Sequence, residues 1–496
     1  MRKKYEQMSL LDTYKSIEER LENNKPELFL LLDEHLDWDE IIPNTFYSAF
    51  YQRLGRKRSY ELESFLRASF LQRIFHYLES FLRASFLQRI FHYVEDTQLL
   101  NTLRFSYEMR DYCGFEKVPD ASKLTRFKQD FCEHIRVVFE RLVDMTEPIC
   151  AEMNKALADL LVYDTTGIES YVAENNPKYA QIKAHQAAAY AKVNPAFDPV
   201  TGRTAFMPEC AASNCAVKQQ YINGHFCYAQ KVGIIANGLG IVRHLELFDE
   251  DFKAAHPEMQ IEKRTKHPEL DKEIGDSTSL KPVLLDFKTA HPAFHYSTFS
   301  ADSAFDSFDN FAFLLNEYGF QKAVVPLNPR GGLPAADVGF NESGTPLCPI
   351  DATPLKPHGH ANEKRRSPRL KFICPKSKQV KLPDGRLSYR CSCESPCTSS
   401  KYGRCVYVPL NKNLRLYPGI SRDDPAFAQI YSRRTCVERS INSLNDTLGI
   451  SNRKTSNVLT TKADLFLAGI VQLLCVLLAH KLHDLKLARR PRKLIA

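Results

Sequence analysis

The sequence predicts an α/β fold preceded by a mostly helical region, and three observations carry that expectation. Residues 1–150 space their apolar side chains as helices do, with little β-branched alternation. Beyond Ala158, short apolar runs at Leu160 to Tyr163, Phe294 to Phe299 and Ala323 to Leu327 alternate with helical stretches, the rhythm of a sheet covered by helices. Residues 340–410 break that rhythm with Pro, Cys, Lys and Arg, and read as a Cys-rich, β-containing insertion. The expected divisions are a helical region at 1–150, a core at 158–339 and 411–480, the insertion at 340–410, and a basic tail at 481–496.

With 496 residues and 44% hydrophobic content, the chain can build sizeable cores. Its net charge of +8 is mild but uneven. Lys364, Arg365, Arg366, Arg369 and Lys371 cluster, and Lys481, Lys486, Arg489, Arg490, Arg492 and Lys493 form a basic tail. Such clusters suit phosphate backbones, and a solvated tail is the plainer alternative. The N-terminal MRKKYEQMSLL has no apolar core of a secretory signal, so the chain is expected to stay inside the cell. Leu465 to Ala479 is strongly apolar but falls short of the roughly twenty residues needed to cross a bilayer. It reads as a buried core helix, with no membrane partner. The 14 cysteines then read as reduced thiols, some of them metal ligands, rather than disulfides.

Within the helical region, Leu62 to Tyr77 recurs letter for letter as Leu78 to Tyr93. Two identical copies do not make a solenoid, which needs about three units or more, so a local tandem duplication is the simpler account. In one continuous helix the second copy would be rotated by roughly 160° from the first, so both cannot bury the same face. One copy is expected to fill the native slot and the other to be extruded, misplaced or used in self-association. Further on, Pro119 and Asp120 can end one helix and cap the next, which Lys123, Arg126 and Lys128 would decorate. Residues 107–131 are therefore HTH-like, with Lys123 and Arg126 near the entry of a recognition helix; a plain capped helix in a bundle is the alternative.

In the core, Leu160 to Tyr163 reads as a buried strand that delivers Asp164 at its carboxyl end, with Thr165, Thr166 and Gly167 turning away. Residues 174–221 look irregular. Two strand-like runs joined by Asn237-Gly238-Leu239-Gly240 signal a hairpin. Phe294 to Phe299 delivers Asp302, a helix follows over roughly Ser307 to Tyr318, and then comes the strand Ala323 to Leu327. Finally, Tyr431 to Asn445 reads as one helix, on which Tyr431, Arg434, Glu438 and Asn445 fall within roughly 60° of one another. Ile430, Val437, Ile441 and Leu444 form an adjacent apolar stripe that would anchor it.

Converging at one point, Asp164, Asp302 and Glu438 would make an oxygen-rich site suited to a hard cation, Mg²⁺ or Mn²⁺. Two such ions can activate a water or a 3′-hydroxyl against a phosphodiester, which is anionic and resists attack. Singly, each acid is more ordinarily a cap or turn residue.

In this order the residues resemble the DDE transposases of bacterial insertion sequences, in the branch with the signature Tyr-x2-Arg-x3-Glu-x6-Lys. Tyr431, Arg434 and Glu438 match at that spacing, with Asp164 in YDTTGIES and Asp302 in ADSAFDS as the two aspartates. GRKRSYELESFLRA and CGFEKVPDASKLTRF also look like the helical DNA-binding part of such enzymes. The resemblance implies an RNase H-like catalytic core and Asp164, Asp302 and Glu438 as catalytic ligands of two Mg²⁺ or Mn²⁺ ions. It implies Tyr431 and Arg434 on phosphate, double-stranded DNA as partner, a homo-oligomer pairing two element ends, and a cytoplasmic, nucleoid-associated bacterial protein. Asn445 stands where the signature has Lys, so this phosphate contact keeps a hydrogen bond without the positive charge.

In the insertion, Cys391, Cys393, Cys397 and Cys405 place four thiols within fifteen residues, enough for one structural zinc. Reduced cysteines packing a small β region are the alternative. Besides a transposase, the sequence leaves open a catalytically impaired DNA-binding relic of one and a zinc-organised interaction protein.

Overall fold

The computed structural model describes residues 27–53, 79–115, 117–198, 205–222, 225–262, 274–328, 338–362, 366–383, 385–410, 414–451 and 453–490. They form a mixed α/β protein of two discontinuous units. One comprises residues 1–153, 167–231 and 441–496, and the other 154–166 and 232–440.

The first unit is built on the helix Val458–Lys481, buried from Thr460 to Ala479. It outlasts the apolar run Leu465 to Ala479 because Asn457 caps it well upstream and ion pairs offset the desolvation of its polar first turns. By length and composition it could cross a membrane, but 89% of its most apolar window is buried inside the protein. Its neighbours include Cys132–Met153, Ala121–Asp130 and Glu27–His35.

The second repeat copy fills a slot in this unit: residues 79–90 are helical, and Phe81, Leu82, Ala84, Phe86, Leu87 and Ile90 are buried. The first copy lies outside the described residues. Arg89 of the second copy reaches Asp464 at 2.8 Å, and Lys128 and Arg453 reach the same carboxylate, each at 3.1 Å. Asp96 completes the network, 3.2 Å from Lys128 and 2.8 Å from Arg453. Lys128 is thus no surface decoration of its helix, as the sequence suggests, but a buried cation with 1% side-chain exposure.

Residues 174–221, irregular by pattern, contain the helix Pro177–Val193 and the strand Asn214–Ile222. Asn176 caps that helix, Pro177 opens it, and Ala187 is its one buried residue, so there is no apolar stripe for a sequence pattern to reveal.

Five strands of a seven-stranded sheet, β1 (Leu160–Glu169), β2 (His225–Asn237), β3 (Val242–Leu247), β4 (Thr298–Ser300) and β5 (Lys322–Val324), are ordered β3-β2-β1-β4-β5, and the strand Asn214–Ile222 also pairs with β2. The hairpin β2–β3 is antiparallel, and β1, β4 and β5 run parallel. One sheet face presents Leu161, Tyr163, Phe299, Ala301 and Ala323 to the helices α1 (Asp276–Ala290) and α2 (Phe308–Ala312). Leu280, Val283, Leu284, Phe287 and Phe311 meet them there. Tyr163, buried among them, shares a 2.8 Å hydrogen bond with Ser279 of α1.

Four predicted boundaries move, one of them that of β5, which is Lys322–Val324 rather than Ala323 to Leu327. β1 continues past Asp164 to Glu169, because Gly167 admits a close neighbour: a Cβ there would lie 1.8 Å from Ile222 Cδ1. β4 is shorter than predicted, since Phe294 stacks on His291, with ring centroids 4.9 Å apart, instead of joining the sheet. The predicted helix Ser307 to Tyr318 is α2 running into a π-helical turn, Phe313–Tyr318, closed by Gly319 at φ +102°.

The insertion forms the strands β6 (Lys356–Ala361), β7 (Arg369–Ile373), β8 (Ser377–Lys381), β9 (Leu387–Cys391) and β10 (Cys405–Pro409). They make a three-stranded sheet, β10-β7-β6, and a separate hairpin, β8-β9. Two helices of the core follow, α3 (Pro425–Tyr431) and α4 (Thr435–Asn442).

Candidate active site

Register places the first two acids. β1 and β4 pair in parallel with Leu160 opposite Thr298 and Val162 opposite Ser300. Carrying that register two residues further sets Asp164 level with Asp302, and strand alternation puts both on the face opposite the α1 core. Asp159 fixes the entry to β4 by accepting hydrogen bonds from the Ser297 backbone N–H and hydroxyl. Asp302 caps the short turn Ser303–Phe305, accepting from the Ala304 N–H at 2.8 Å.

The third acid comes over the same face. Val324 of β5, Ile420 and Phe427 form a small core there, against which Ile430 and Tyr431 pack, so α3 is anchored to the sheet. Tyr431 to Asn445 is not one helix as the sequence suggests: α3 passes through a 3₁₀ turn, Ser432–Arg434, into α4, which gives way to a π-helical turn, Ser443–Thr447. The even 100° step therefore fails at both ends, and Asn445, in the π-helical turn, leaves the line drawn through Glu438.

The buried side of α4 rests on the β2–β3 hairpin. Cys436 Sγ donates to the Asn237 carbonyl at 3.2 Å, and Ser440 Oγ donates to the Gly240 carbonyl at 2.6 Å. Asn237 Oδ1 accepts from the N–H groups of Leu239 and Ile241, which shapes the turn predicted from Asn237-Gly238-Leu239-Gly240. Gly240 has φ +78°, and a Cβ there would lie 3.2 Å from the Cys436 carbonyl oxygen. Gly240→Val is accordingly expected to cost about 1–3 kcal/mol in backbone strain alone. Its denaturation midpoint should fall well below the parent's, and a midpoint equal to the parent's would refute the close approach.

So held, Glu438 faces outward at 47% side-chain exposure, and Arg434 bridges it to the sheet. Arg434 Nη2 lies 2.5 Å from Glu438 Oε1, Nη1 lies 3.5 Å from Asp164 Oδ2, and the guanidinium sits 5.8 Å from the centre of the Tyr431 ring. Burial, with the charges of Asp302 and Glu438 behind it, pushes the Asp164 carboxyl up to about 7, against the lowering effect of the Thr165 N–H and Arg434. All three acids thus fall within one electrostatic neighbourhood, with Tyr431 and Arg434 beside them. The donor set is all oxygen, the type a hard divalent cation takes, but the three carboxylates do not draw their oxygens within 4.8 Å of one another.

The remaining predicted residues lie elsewhere. Lys123 and Arg126 are exposed on the helix Ala121–Asp130, which Asp120 caps through the Lys123 N–H at 3.2 Å. The zinc set drawn from sequence does not gather: Cys391 and Cys393 meet Cys374, Cys397 pairs with Cys348, and Cys405 is exposed on β10. Sequence spacing missed Cys374 because it belongs to a separate strand end. It also missed Asp306, a buried acid that Arg415 holds at 2.7 Å and that accepts the Asn328 N–H, tying the loop before α2 to the segment after β10.

No curated protein matches the chain. Among solved structures, a cryo-EM structure of a piggyBac transposase synaptic complex with hairpin DNA is similar at 10% identity, covering 94% of this chain and 84% of that one, with a TM-score of 0.27. Residues 76–130, which include the whole of the second repeat copy and the helix carrying Lys123 and Arg126, match a family described as Transposase domain (DUF772).

Proposed function

We propose that this protein is a DDE transposase: an RNase H-like core that binds the terminal inverted repeats of an insertion sequence and performs metal-dependent cleavage and strand transfer. The observation that carries the reading is the register of β1 and β4, which sets Asp164 level with Asp302 on the face that α4 overhangs with Glu438. The transposase-domain match at residues 76–130 supports it independently.

Asp164, Asp302 and Glu438 would hold Mg²⁺ or Mn²⁺, two ions in the usual arrangement for phosphodiesters. When bound, such ions activate a water or 3′-hydroxyl and stabilise the departing oxygen. The chain's own side chains position the strand. Arg434, charged at any working pH, can exchange its contact with Glu438 for a phosphate oxygen, with Tyr431 limiting its swing. Asn445 can donate one hydrogen bond to phosphate.

Lys123 and Arg126 are assigned to backbone phosphates of the element end, and two chains to the pairing of two ends. Lys123→Ala with Arg126→Ala should weaken binding of terminal-repeat DNA and lower the slope of log affinity against log salt by about 0.9 for each phosphate left without its cation. An unchanged slope would remove that helix from the interface.

The function itself is tested on labelled DNA carrying the element's own terminal repeats, in Mg²⁺ and in chelator, with the full chain and a version lacking one repeat copy. Mg²⁺-dependent cleavage at the repeat end is expected from both. Binding without cleavage by either protein would overturn the enzyme reading in favour of a DNA-binding relic.

A further inference from the structure

The hairpin β8–β9 has no core of its own. Its strands pair from Ser377 opposite Cys391 to Lys381 opposite Leu387, yet none of their residues is buried, and Leu382 and Leu387 are 40% and 66% exposed. The apolar cluster of Leu355, Leu370, Phe372, Val408 and Leu416 serves the neighbouring sheet β10-β7-β6. Tyr389 touches that sheet through an edge contact with half-buried His358, ring centroids 4.8 Å apart. A lone two-stranded hairpin is marginal in water, so something beyond apolar packing must hold this one.

What converges at its open end is sulfur. Cys374, Cys391 and Cys393 bring their Sγ atoms within 4.8 Å of one another, and Cys374 and Cys393 approach to 3.6 Å. Tetrahedral zinc with Zn–S bonds near 2.3 Å would set its thiolates about 3.8 Å apart. Three chain segments are tied around the sulfurs: the Cys374 N–H donates to the Arg404 carbonyl, and the Cys391 N–H to the Lys401 carbonyl. Gly403, at φ +82°, crosses so closely that a Cβ would lie 3.1 Å from Cys391 Cβ and 3.3 Å from Cys374 Cβ. The Cys393 N–H bonds to the Cys391 sulfur, and Lys376 stands beside Cys374 and Cys393.

A second pair of thiols is linked to these three through Asp351 and Lys376. Cys397 is hydrogen-bonded to Cys348, Cys348 to Asp351, and Asp351 to Lys376 at 2.8 Å. We propose that Cys374, Cys391 and Cys393 bind a structural zinc ion as thiolates, with the fourth position filled by one thiol of the Cys348–Cys397 pair, and that this ion staples the hairpin to the insertion. The site lies outside the proposed cleavage chemistry and stands or falls separately from it. Binding moves no electrons: each ligating thiol gives its proton to solvent and its sulfur lone pair to the metal.

The test uses the full chain. Elemental analysis of protein purified without chelator should find about one zinc per chain, and Co²⁺ exchanged into the stripped protein should give thiolate charge-transfer and tetrahedral ligand-field bands. Cys374→Ser should lose both, whereas Cys405→Ser should keep both. Cys348→Ser with Cys397→Ser should shift the cobalt spectrum towards three sulfurs, and an unchanged spectrum would overturn the fourth-ligand assignment. To separate misfolding from failed ligation, limited proteolysis of the wild-type chain should cut within residues 374–405 after metal removal and cease to do so when Zn²⁺, but not Mg²⁺, is restored. No zinc and no cobalt–thiolate bands in the wild-type chain, or zinc retained by Cys374→Ser and absent from Cys405→Ser, would overturn the proposal.

Discussion

Glu438→Gln is expected to slow Mg²⁺-dependent cleavage of terminal-repeat DNA by about a thousandfold, while leaving the stability within about 0.5 kcal/mol of the parent's. The magnitude follows from what a carboxylate ligand contributes: charge stabilisation by a bound divalent ion is worth several kcal/mol, and each ~1.36 kcal/mol is about tenfold in rate. Glutamine keeps the size and the hydrogen bond to Arg434 and removes the charge. The helix carrying it does not depend on that charge, because Cys436 and Ser440 fasten α4 to the β2–β3 hairpin from the opposite side. Single-turnover rates over a Mg²⁺ series are the measurement, and the half-saturating Mg²⁺ concentration should rise as the rate falls. A glutamine variant that cuts as fast as its parent would remove Glu438 from the chemistry.

Asp464→Ala is expected to cost about 3–5 kcal/mol of stability, the range for breaking a buried ion pair from one side. The acid has 2% side-chain exposure and holds Arg89, Lys128 and Arg453, so its removal leaves three cations in the core with Asp96 to answer them. Urea denaturation should show a lower midpoint at nearly unchanged slope. Burial alone would raise the Asp464 carboxyl, but Arg453, Lys128 and Arg89 together draw it far below the usual carboxylate range. A depressed carboxyl contributes its stability above the unfolded pKa and loses it as the pH falls through the folded one. The parent should therefore lose this contribution progressively below about pH 4, and the deficit of Asp464→Ala should shrink with it. A constant deficit across that range would assign the loss to packing instead.

The duplication sharpens the same measurement. Because Leu62–Tyr77 and Leu78–Tyr93 are identical, deleting either yields one and the same polypeptide, and that polypeptide keeps an arginine in the slot of Arg89. It should unfold at the parent's midpoint, whereas a loss comparable to that of Asp464→Ala would mean that both copies support the fold.

The mixed α/β class, the Asn237–Gly240 turn, the Asp120 cap and the placing of three acids at strand and helix positions were legible along the chain, since they depend on alternation, caps and turn residues within a few positions of one another. That β1 runs on past Asp164 was not legible, because it depends on the room Gly167 leaves for Ile222. Nor was the burial of Lys128, whose partners lie 32 and more than three hundred residues away in Asp96 and Asp464. The break in the helix from Tyr431 to Asn445, and the meeting of Cys374 with Cys391 and Cys393, were equally out of reach. Only the folded arrangement settles which acids stand level, which copy of the repeat is seen filling the slot, and which thiols meet. Register, burial and approach between distant segments are outcomes of packing, and a one-dimensional spacing carries no record of it.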